Sequence, residues 1–463
     1  LFLYVDDLRP ELNCYGKSDI VSPGIDKLAE MGVVLNKAYC QFPQCMPSRV
    51  STLSGKYPIK REGLLRQLLP KGLPSLPGHF KANGYDAISI GKVYHTNSDD
   101  PKSWTKRYTE TFAEEDLHDG WCSGYQLEKN KKAVKAGNKK ARDLTECVDA
   151  PDSAYPDGQI ADLAIAELKA HAKSGKPLFL AAGFYRPHLP WAAPKKYWDL
   201  YDRDTIKISD KQSFPLHAIG RSTWCDMRHY GDAEVNGANL RSNQTAKSYP
   251  VLSDAKQREL IHAYRASVSF VDAQIKRVLD ELETLGMAEN TTIVLCGDHG
   301  WHLGEYKLWA KVTCYEESLQ VPMIVAAPGV FASAKSEGLT ELVDIYPTVC
   351  EMSGLAIPAH VEGTSMVPLL KDPTREWKTA AFSVWAGAKS MRTARYRLTE
   401  YAKAAPKGSK TQLPSKLRYE LYDYQAEVPG GVNLAKLKKH EPLLKTLLKQ
   451  LHAGPKAAKP KSK

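Results

Sequence analysis

The sequence predicts an α/β fold, in which helices cover both faces of a mostly parallel β-sheet and a smaller α+β subdomain follows at the C-terminal end. Short apolar runs alternate with helical patterns along most of the chain, which is typical of a parallel sheet connected by helices. The chain has 463 residues, enough for one large core and a smaller partner. Its hydrophobic content of 43% and charged content of 25% are ordinary for a globular protein.

The expected strands of the large sheet are short apolar runs, and the clearest helix lies between the third and the fourth of them. The strands are Leu1–Val5, Ala87–Ile90, Leu178–Ala182, Thr292–Cys296 and Met323–Ala327. The helix is expected to start after Ser253, because apolar residues then recur at three- and four-residue steps: Leu260, Tyr264, Val268, Val271, Ile275, Leu279 and Leu282. Gly286 is the expected C-cap of this helix.

Two long polar segments, residues 96–158 and 202–250, interrupt this alternation. We expect them to form loops that shape the substrate pocket, since loops of that length in a compact domain are usually functional. From about residue 376 the pattern changes to strands and a helical tail: Ala381–Val384, Ser390–Thr399, Leu417–Tyr424 and Leu434–Leu451. We therefore predict a main domain over residues 1–375 and a smaller α+β subdomain over 376–463, which ends in a flexible basic tail.

The net charge of +11 favours anionic partners such as nucleic acid, acidic polysaccharide or an anionic membrane surface. The alternative is solubility alone, since much of the excess is scattered lysine, as in 129–140 and 456–463. No recognised nucleic-acid motif is present, so that partner is set aside. No apolar run reaches eighteen residues, so no membrane span is predicted. The chain begins at Leu1 without a Met or a leader, and we expect that an upstream segment was removed or left out.

The nine cysteines contain no CxxC pair, which argues against a zinc ribbon or a thioredoxin-type site. Cys122 and Cys147 lie in one polar segment and are the best candidates for a disulfide. Cys296 lies in an apolar strand and is expected to be a buried free thiol.

Acidic residues follow two of the predicted strands at the point where each strand ends. Asp6 and Asp7 come directly after the first strand, and Asp298 and His299 follow the fourth. Ligands of open α/β sheets bind beyond the carboxyl ends of the strands, so these side chains are expected to meet there. Carboxylate oxygens suit a hard cation such as Ca²⁺ or Mg²⁺. Either acidic pair alone could be a helix cap or a turn, but together they favour a metal site.

The segment from Cys45 to Gly55 has the pattern C-x-P-S-R-x-x-x-L-x-G. The residues after Pro47 are expected to begin a helix, whose free N–H groups and partial positive charge favour an anion beside position 45. Arg49, one turn further on, is expected to hold oxygens at position 45 by charged hydrogen bonds. The alternative is an ordinary cysteine near a helix start, with Ser48 as a cap.

This pattern is the signature of the sulfatase family, which the chain resembles along most of its length. The resemblance implies that a formylglycine-generating enzyme, which recognises the Pro and the Arg, oxidises Cys45 to formylglycine. Closer resemblance is to the iduronate-2-sulfatase branch, and it runs from Leu1 to about residue 350. Its motifs are Val5–Pro10, Cys14–Gly16, Gly91–His95, Arg186–Pro190, Ser267–Ser269, Asp298–Trp301, Leu303–Glu305 and Trp309–Lys311. His299 stands where many other sulfatases have Asn.

The resemblance implies an alkaline-phosphatase-like fold, with residues 1–375 as the catalytic domain, and it also implies the chemistry. The hydrated formylglycine would attack sulfur with one hydroxyl and then expel sulfate with the other. One Ca²⁺ would be bound by Asp6, Asp7, Asp298, His299 and the modified Cys45. The implied catalytic residues are Cys45, Arg49, Lys92, His95, His188 and Lys311.

Within that set the resemblance implies separate tasks for the side chains. His188 would protonate the leaving sugar oxygen, and His95 would steady or deprotonate the hydrated aldehyde. Lys92 and Lys311 would neutralise the sulfate oxygens. Each of these residues alone could be structural, and only the joint pattern supports the roles. Trp301 is expected either to stack on the sugar ring or to pack in the core.

The sequence therefore predicts a sulfatase that acts on a sulfated oligosaccharide or polysaccharide. Resemblance to the iduronate branch suggests a 2-O-sulfated uronic acid or a comparable sugar at the end of a glycosaminoglycan or algal glycan. It also implies an exported protein, whether periplasmic, lysosomal or extracellular. The alternatives are a related phosphodiesterase or phosphonate monoester hydrolase and an inactive glycan-binding homologue. The oligomeric state is left open.

Overall fold

The computed structural model describes residues 1–58, 72–95, 99–108, 124–219, 226–237, 252–385, 387–401 and 418–460. The strands are β1 (Phe2–Val5), β2 (Val33–Tyr39), β3 (Asp86–Gly91), β4 (Lys106–Arg107), β5 (Thr145–Val148), β6 (Leu178–Phe184), β7 (Trp191–Pro194), β8 (Ile293–Gly297), β9 (His302–Leu303), β10 (Trp309–Ala310), β11 (Gln320–Val321), β12 (Met323–Ala326), β13 (Ala334–Glu341), β14 (Ala381–Trp385), β15 (Ala388–Arg392), β16 (Tyr396–Tyr401) and β17 (Arg418–Asp423). The α-helices are α1 (Pro23–Met31), α2 (Cys45–Ser54), α3 (Leu76–Ala82), α4 (Glu128–Lys135), α5 (Pro156–His171), α6 (Lys195–Trp198), α7 (Ala233–Gly237), α8 (Asp254–Thr284), α9 (Glu316–Leu319), α10 (Ile345–Met352), α11 (Val367–Lys371) and α12 (Glu441–Ala453).

The main domain is built on a nine-stranded mixed sheet. Its order is β11-β2-β12-β8-β1-β6-β3-β4, and β13 pairs with β2 beside this path. The strands β8, β1, β6, β3 and β4 are parallel to one another, whereas β12 runs antiparallel to β8 and β2. All five strands predicted for the large sheet are present in it, and each observed end lies within two residues of the predicted one. The predicted α/β class with a mostly parallel sheet is therefore confirmed.

Strand β1 is buried on both faces of the sheet, which explains its continuous apolar sequence. Leu3 and Val5 pack into the cluster that includes residues of α1, α5 and α8. Phe2 and Tyr4 point to the opposite face, where α2, α3 and α10 contribute. The residues that directly follow Val5 therefore lie inside the protein, at the carboxyl edge of the sheet.

Helix α8 begins where its sequence signal predicts and ends one residue before the predicted position. The Ser253 hydroxyl accepts a hydrogen bond from the Lys256 N–H (3.2 Å), so Ser253 is the N-cap. The C-cap is Leu285, one residue earlier than predicted. Gly286 follows it with a φ of 65°, the left-handed conformation that glycine adopts most readily after a helix.

The first long polar segment contains more regular structure than the prediction of loops allowed. It includes β4, α4 and β5, and α5 already begins at Pro156. A buried carboxylate organises this region, because Glu146 accepts hydrogen bonds from the N–H of Gln126 (2.5 Å) and of Leu127 (3.2 Å) and from the Asn130 amide (2.8 Å). In the second segment, α7 lies within the described residues 226–237. Cys122 lies outside the described residues, but Cys147 is an exposed free cysteine, which contradicts the predicted disulfide between them.

The C-terminal subdomain is the antiparallel sheet β14-β15-β16-β17 with α12 packed on it, as predicted. The prediction of one strand over Ser390–Thr399 is wrong, because the chain turns back between β15 and β16. The Thr393 hydroxyl accepts from the Tyr396 N–H (2.9 Å) and favours this turn. The predicted helix Leu434–Leu451 begins later, with Pro442 in the first turn of α12. Leu417, the predicted start of the last strand, lies outside the described residues.

No helix in the described part of the chain is long and apolar enough to cross a membrane.

The domain boundary at residues 375 and 376 stays a prediction. A buried ion-pair cluster joins the two sides of that boundary. Lys378 donates to Glu341 Oε2 (2.8 Å) and to both carboxylate oxygens of Asp344 (2.7 Å each). Glu341 also accepts from the Phe382 N–H (2.8 Å) in β14 and from the Tyr57 hydroxyl (2.6 Å).

We predict that Lys378→Met lowers the free energy of unfolding by about 3–5 kcal/mol, because it leaves two carboxylates buried without their cation. Urea denaturation measures this change. Lys445→Met is the matched control, since Lys445 bonds Glu441 on the surface of α12 and its removal should have no measurable effect. Equal stability of the wild type and Lys378→Met would contradict the assigned role.

Candidate active site

The ends of two neighbouring parallel strands deliver acidic side chains to one buried point. Asp6 and Asp7 directly follow β1, and Asp298 directly follows β8. The Asp7 N–H donates to Asp298 Oδ1 (3.0 Å), and the Asp298 N–H donates to the Val5 carbonyl (3.2 Å). Asp7 has a φ of 58°, a left-handed conformation that Asp tolerates better than most residues. All three carboxylates are fully buried.

Helix α2 begins at Cys45, earlier than the predicted start after Pro47, so Cys45 is its first residue. The Ser48 hydroxyl donates to the Asp298 carbonyl, so the first turn is tied to the end of β8. Gly55 ends the helix with a φ of 67°, and a Cβ at this position would lie 2.9 Å from Val361. The last residue of the C-x-P-S-R-x-x-x-L-x-G pattern is therefore needed for both conformation and space.

Arg49 joins the two acidic strand ends. Its Nε donates to Asp298 Oδ2 (2.9 Å) and its Nη2 donates to Asp6 Oδ1 (3.1 Å). Its Nη1 donates to the carbonyls of Lys92 and Val93. We expected Arg49 to hold oxygens at position 45, whereas the structure directs its donors mainly to these carboxylates and carbonyls. Burial lowers the pKa of Arg49, but Asp298 and Asp6 outweigh it, so the pKa lies above its ordinary value.

Lys92 follows β3 and forms an ion pair with Asp6 Oδ2. Two glycines allow this approach. Gly91 has a φ of 67°, and a Cβ at Gly183 would lie 2.0 Å from the Lys92 carbonyl. His95 lies three residues after Lys92 and is half-buried. Burial, followed by the charge of Lys92, lowers the pKa of His95 to about 3.

Lys311 and His299 surround the Cys45 thiol. The Lys311 ammonium lies 2.8 Å from Asp7 Oδ1 and 3.1 Å from Cys45 Sγ. His299 Nε2 lies 3.2 Å from the same sulfur, and its Nδ1 is 3.0 Å from the Gly300 carbonyl, which can only accept. Burial lowers the pKa of His299 to about 4, so Nε2 carries a lone pair at neutral pH.

His188 lies in the loop after β6, with Nε2 3.7 Å from Asp7 Oδ2. Its Nδ1 is 2.6 Å from the Leu189 carbonyl. Burial, followed by the charge of Lys311, lowers the pKa of His188 well below its ordinary value. An anion bound beside this imidazole would oppose that shift, because a negative charge favours the protonated form.

Trp301 is buried beside the site, with only 1% of its surface exposed. Its ring packs edge-on against Trp191, with centroids 6.2 Å apart. The Lys311 ammonium lies 5.4 Å from the centroid of the Trp301 ring. Of the two roles expected for Trp301, this placement favours core packing over stacking on a sugar.

Two further contacts were not predicted from the sequence. The Tyr264 hydroxyl on α8 donates to the Asp7 carbonyl (2.9 Å), although the helical period marked Tyr264 only as an apolar position. Asp157, at the start of α5, accepts from the N–H of Tyr185 (2.6 Å) and of Arg186 (3.3 Å) and so holds the His188 loop. Burial raises the pKa of Asp157 to about 6. The only local sequence signal for this role of Asp157 was its position directly after Pro156.

The residues present fit a hard divalent cation. Two sets of side chains, each with all its ligand atoms within 4.8 Å of one another, are Asp6, Cys45, Asp298 and His299, and Asp6, Asp7, Cys45 and His188. Asp7 Oδ2 is buried and accepts no hydrogen bond from the described residues. Burial raises the pKa of Asp7 well above its ordinary value, although Lys311 opposes the shift. A cation would satisfy this oxygen, and carboxylate donors suit Ca²⁺ or Mg²⁺.

A comparison with known protein families matches residues 1–355 to the Sulfatase family. The arrangement of the motifs described above agrees with this match. The chain belongs to the sulfatase family. It is a sulfuric ester hydrolase. Residues 304–456 of this sulfatase also match the C-terminal region described for N-sulphoglucosamine sulphohydrolase.

Relatives and solved structures extend this assignment. The sulfatase is 31% identical to iduronate 2-sulfatase of Mus musculus, over 77% of this chain and 69% of the relative. It is also 31% identical to a sulfatase of Formosa agariphila, over 80% of this chain and 72% of the relative. The structure of a phosphonate monoester hydrolase from Silicibacter pomeroyi matches this structure with a TM-score of 0.74 at 22% sequence identity. The match covers 99% of this chain and 95% of that protein, so the two share a fold. The predicted resemblance to the iduronate-2-sulfatase branch is confirmed.

We predict that Ca²⁺ stabilises the wild type through this site, by about 2.7 kcal/mol at a hundredfold excess over Kd. Asp7→Asn, which keeps the shape but removes the charge, should lose most of that gain. Thermal unfolding with and without Ca²⁺ measures it. Asp280→Asn, at a partly exposed carboxylate of α8, is the control and should respond like the wild type. The same calcium response in Asp7→Asn would exclude Asp7 as a ligand.

Proposed function

We propose that this enzyme hydrolyses sulfate esters of a sulfated saccharide, with Cys45 oxidised to formylglycine as the nucleophile. The observation that carries the proposal is the position of Cys45 at the start of α2. Its sulfur lies 3.1 Å from the Lys311 ammonium, 3.2 Å from His299 Nε2 and 3.8 Å from Asp7 Oδ1. A reacting group at residue 45 is thus surrounded by groups suited to a cation and to a sulfate anion.

The unmodified thiol is unsuited to nucleophilic attack in this environment. Burial, followed by the charge of Asp6, raises the pKa of Cys45 well above its ordinary value. A thiol reacts through its thiolate, and little thiolate would be present at neutral pH. This supports oxidation of Cys45 by a formylglycine-generating enzyme. Once hydrated, the aldehyde would supply one hydroxyl for attack on sulfur, with the sugar oxygen as the leaving group. Loss of the proton of the second hydroxyl would then expel sulfate and restore the aldehyde.

The charges of the site favour a bound anion once a cation is present. The carboxylates of Asp6, Asp7 and Asp298 are balanced by three buried cationic groups, those of Arg49, Lys92 and Lys311. One divalent cation, proposed to be Ca²⁺, would leave the cluster with a net charge of +2. Its proposed ligands are Asp6, Asp7, Asp298, His299 and the modified residue 45. Fixed positive charge of this kind stabilises the negative charge that develops on sulfate oxygens.

The surrounding side chains have distinct proposed tasks. Lys92 and Lys311 neutralise the sulfate oxygens, and Arg49 fixes the start of α2. His95 steadies or deprotonates the hydrated side chain of residue 45. His188 donates a proton to the leaving sugar oxygen, which is a poor leaving group without it. Trp301 is proposed to pack in the core and not to stack on the sugar, because its ring is buried.

The substrate is proposed to be a 2-O-sulfated uronic acid or a comparable sugar at the end of a glycosaminoglycan or algal polysaccharide fragment. Similarity to iduronate 2-sulfatase supports the sugar class, and the net charge of +11 suits an acidic glycan. We also propose export, which the resemblance to the iduronate-2-sulfatase branch implies. An inactive glycan-binding homologue is disfavoured, because every catalytic residue that the family pattern requires is present.

We predict that the wild type releases sulfate from one class in a panel of 2-, 3-, 4- and 6-O-sulfated saccharides, and that Cys45→Ala releases none. Ion chromatography measures sulfate. Cys350→Ala, at a buried free thiol in α10, is the matched control and should keep wild-type activity. A phosphonate monoester and a phosphodiester in the same panel test the alternative activities. Sulfate release by Cys45→Ala would refute the proposed nucleophile.

If the wild type releases no sulfate from any saccharide, mass spectrometry of the Cys45 peptide decides between two causes. Formylglycine in that peptide would mean that the substrate class is wrong. Unmodified cysteine would mean that the enzyme had not matured, and the panel would be repeated after coexpression with a formylglycine-generating enzyme.

We predict that His188→Ala lowers kcat on a sugar sulfate by about 100-fold or more, the range expected for loss of a general acid. An aryl sulfate has a good leaving group and needs no proton, so its kcat should fall by less than about tenfold. Parallel steady-state kinetics on both substrates measure the difference. Equal losses on the two substrates would remove His188 from the acid role.

A further inference from the structure

Three buried aromatic rings form a row beside the active site. Trp191 is at the centre, with its ring centroid 6.2 Å from that of Trp301 and 6.0 Å from that of Tyr264. Both contacts are edge-on, with interplanar angles of 71° and 89°. This geometry is favourable for aromatic pairs and restricts how each ring can move. We call Trp301, Trp191 and Tyr264 the aromatic row.

Each ring of the aromatic row contacts a different part of the catalytic site. The Tyr264 hydroxyl donates to the Asp7 carbonyl at 2.9 Å. The Trp191 Nε1 donates to the carbonyl of Pro187, the residue before His188, at 2.8 Å. Trp301 lies beneath the Lys311 ammonium, which is 5.4 Å from its ring centroid. The row therefore links the metal-binding acids, the proposed acid loop and the proposed sulfate-binding lysine.

The backbone around Lys311 has an unusual conformation. The residues on either side, Ala310 and Val312, have φ values of 72° and 66°. The left-handed region costs an L-residue roughly 1–2 kcal/mol, and a β-branched residue such as Val312 is rarely found there. Strained conformations persist only where the surrounding structure holds them. This backbone fixes where the Lys311 side chain leaves the main chain, and its ammonium lies 2.8 Å from Asp7 Oδ1.

We propose that Trp301 is a positioning residue for Lys311, and that it sets the affinity of the site for sulfate without touching the substrate. Lysine has a long flexible side chain, and fixing it costs conformational entropy. The face of an indole attracts an ammonium group more strongly than other aromatic faces do. Trp301 therefore keeps the Lys311 ammonium directed at Asp7 and residue 45. The inference rests on the proposed function, since it takes Lys311 as a sulfate-binding group.

The test measures binding of inorganic sulfate to the full-length protein in calcium-containing buffer by isothermal titration calorimetry. Trp301→Leu should weaken sulfate binding by about threefold to tenfold, the range that a partly buried cation–π contact provides. Trp301→Phe keeps a smaller aromatic face and should lose less. Trp198→Leu is the matched control, because Trp198 is another buried tryptophan, packed against His262 outside the aromatic row. It should bind sulfate like the wild type.

A double-mutant cycle separates positioning from simple packing. If Trp301 acts through Lys311, Trp301→Leu should cause no further loss of sulfate affinity in a Lys311→Ala background. The same loss in both backgrounds would overturn the inference. Thermal unfolding shows which variants are folded, and Trp301→Phe replaces Trp301→Leu in the cycle if the latter does not fold.

The outcome is independent of turnover. The predicted coupling in sulfate binding would support the role of Trp301 even if no sulfate ester were hydrolysed, in which case only the proposed function would fall. A wild-type protein that carries formylglycine and calcium but binds no sulfate would overturn the inference, whatever its activity.

Discussion

The Arg49 guanidinium joins carboxylates at the ends of two neighbouring parallel strands, and the placement of residue 45 depends on that pairing. Asp6 and Asp298 are fully buried, and burying a carboxylate without a cation costs several kcal/mol. The ion pairs with Arg49 offset this cost (2.9 and 3.1 Å). Because Arg49 lies one turn into α2, the same contacts dock the start of that helix, and with it Cys45, against the sheet edge.

The remaining groups complete the balance of charge around that pairing. Lys92 binds the second oxygen of Asp6, and Lys311 binds one oxygen of Asp7. The other oxygen of Asp7 is buried and accepts no hydrogen bond from the part of the chain that the structure describes. In this cluster every carboxylate has a cationic partner, and one carboxylate oxygen lacks a hydrogen bond from the described residues, so the cluster is suited to a divalent cation. The positive charge of that cation would in turn attract an anion to the site.

Much of the site could be predicted because its residues follow regular elements. Parallel strands bring their carboxyl ends to one edge, so Asp6 and Asp298 were expected at the same edge once β1 and β8 were recognised. A helix places residues 45 and 49 one turn apart, so Arg49 had to lie near Cys45. The same reasoning could not identify the partners of Arg49, since either its neighbours on α2 or the strand ends were within reach.

Tertiary contacts decided what the sequence left open. Helical periodicity marked Tyr264 as apolar, and only packing shows that its hydroxyl bonds the Asp7 carbonyl. The pattern at Trp301 fitted both a sugar platform and a core residue until its burial was known. The apolar alternation of Ser390–Thr399 continues through a turn that is set by one hydroxyl, that of Thr393. Such features depend on distant neighbours, which no local pattern records.

The most direct test of this account is a crystal structure of the protein with Ca²⁺ and sulfate, in which calcium is located by its anomalous scattering. The account predicts one calcium ion bound by Asp6, Asp7, Asp298, His299 and residue 45, with sulfate in contact with that ion, residue 45 and Lys311. A calcium ion bound elsewhere, or sulfate held away from residue 45, would contradict it.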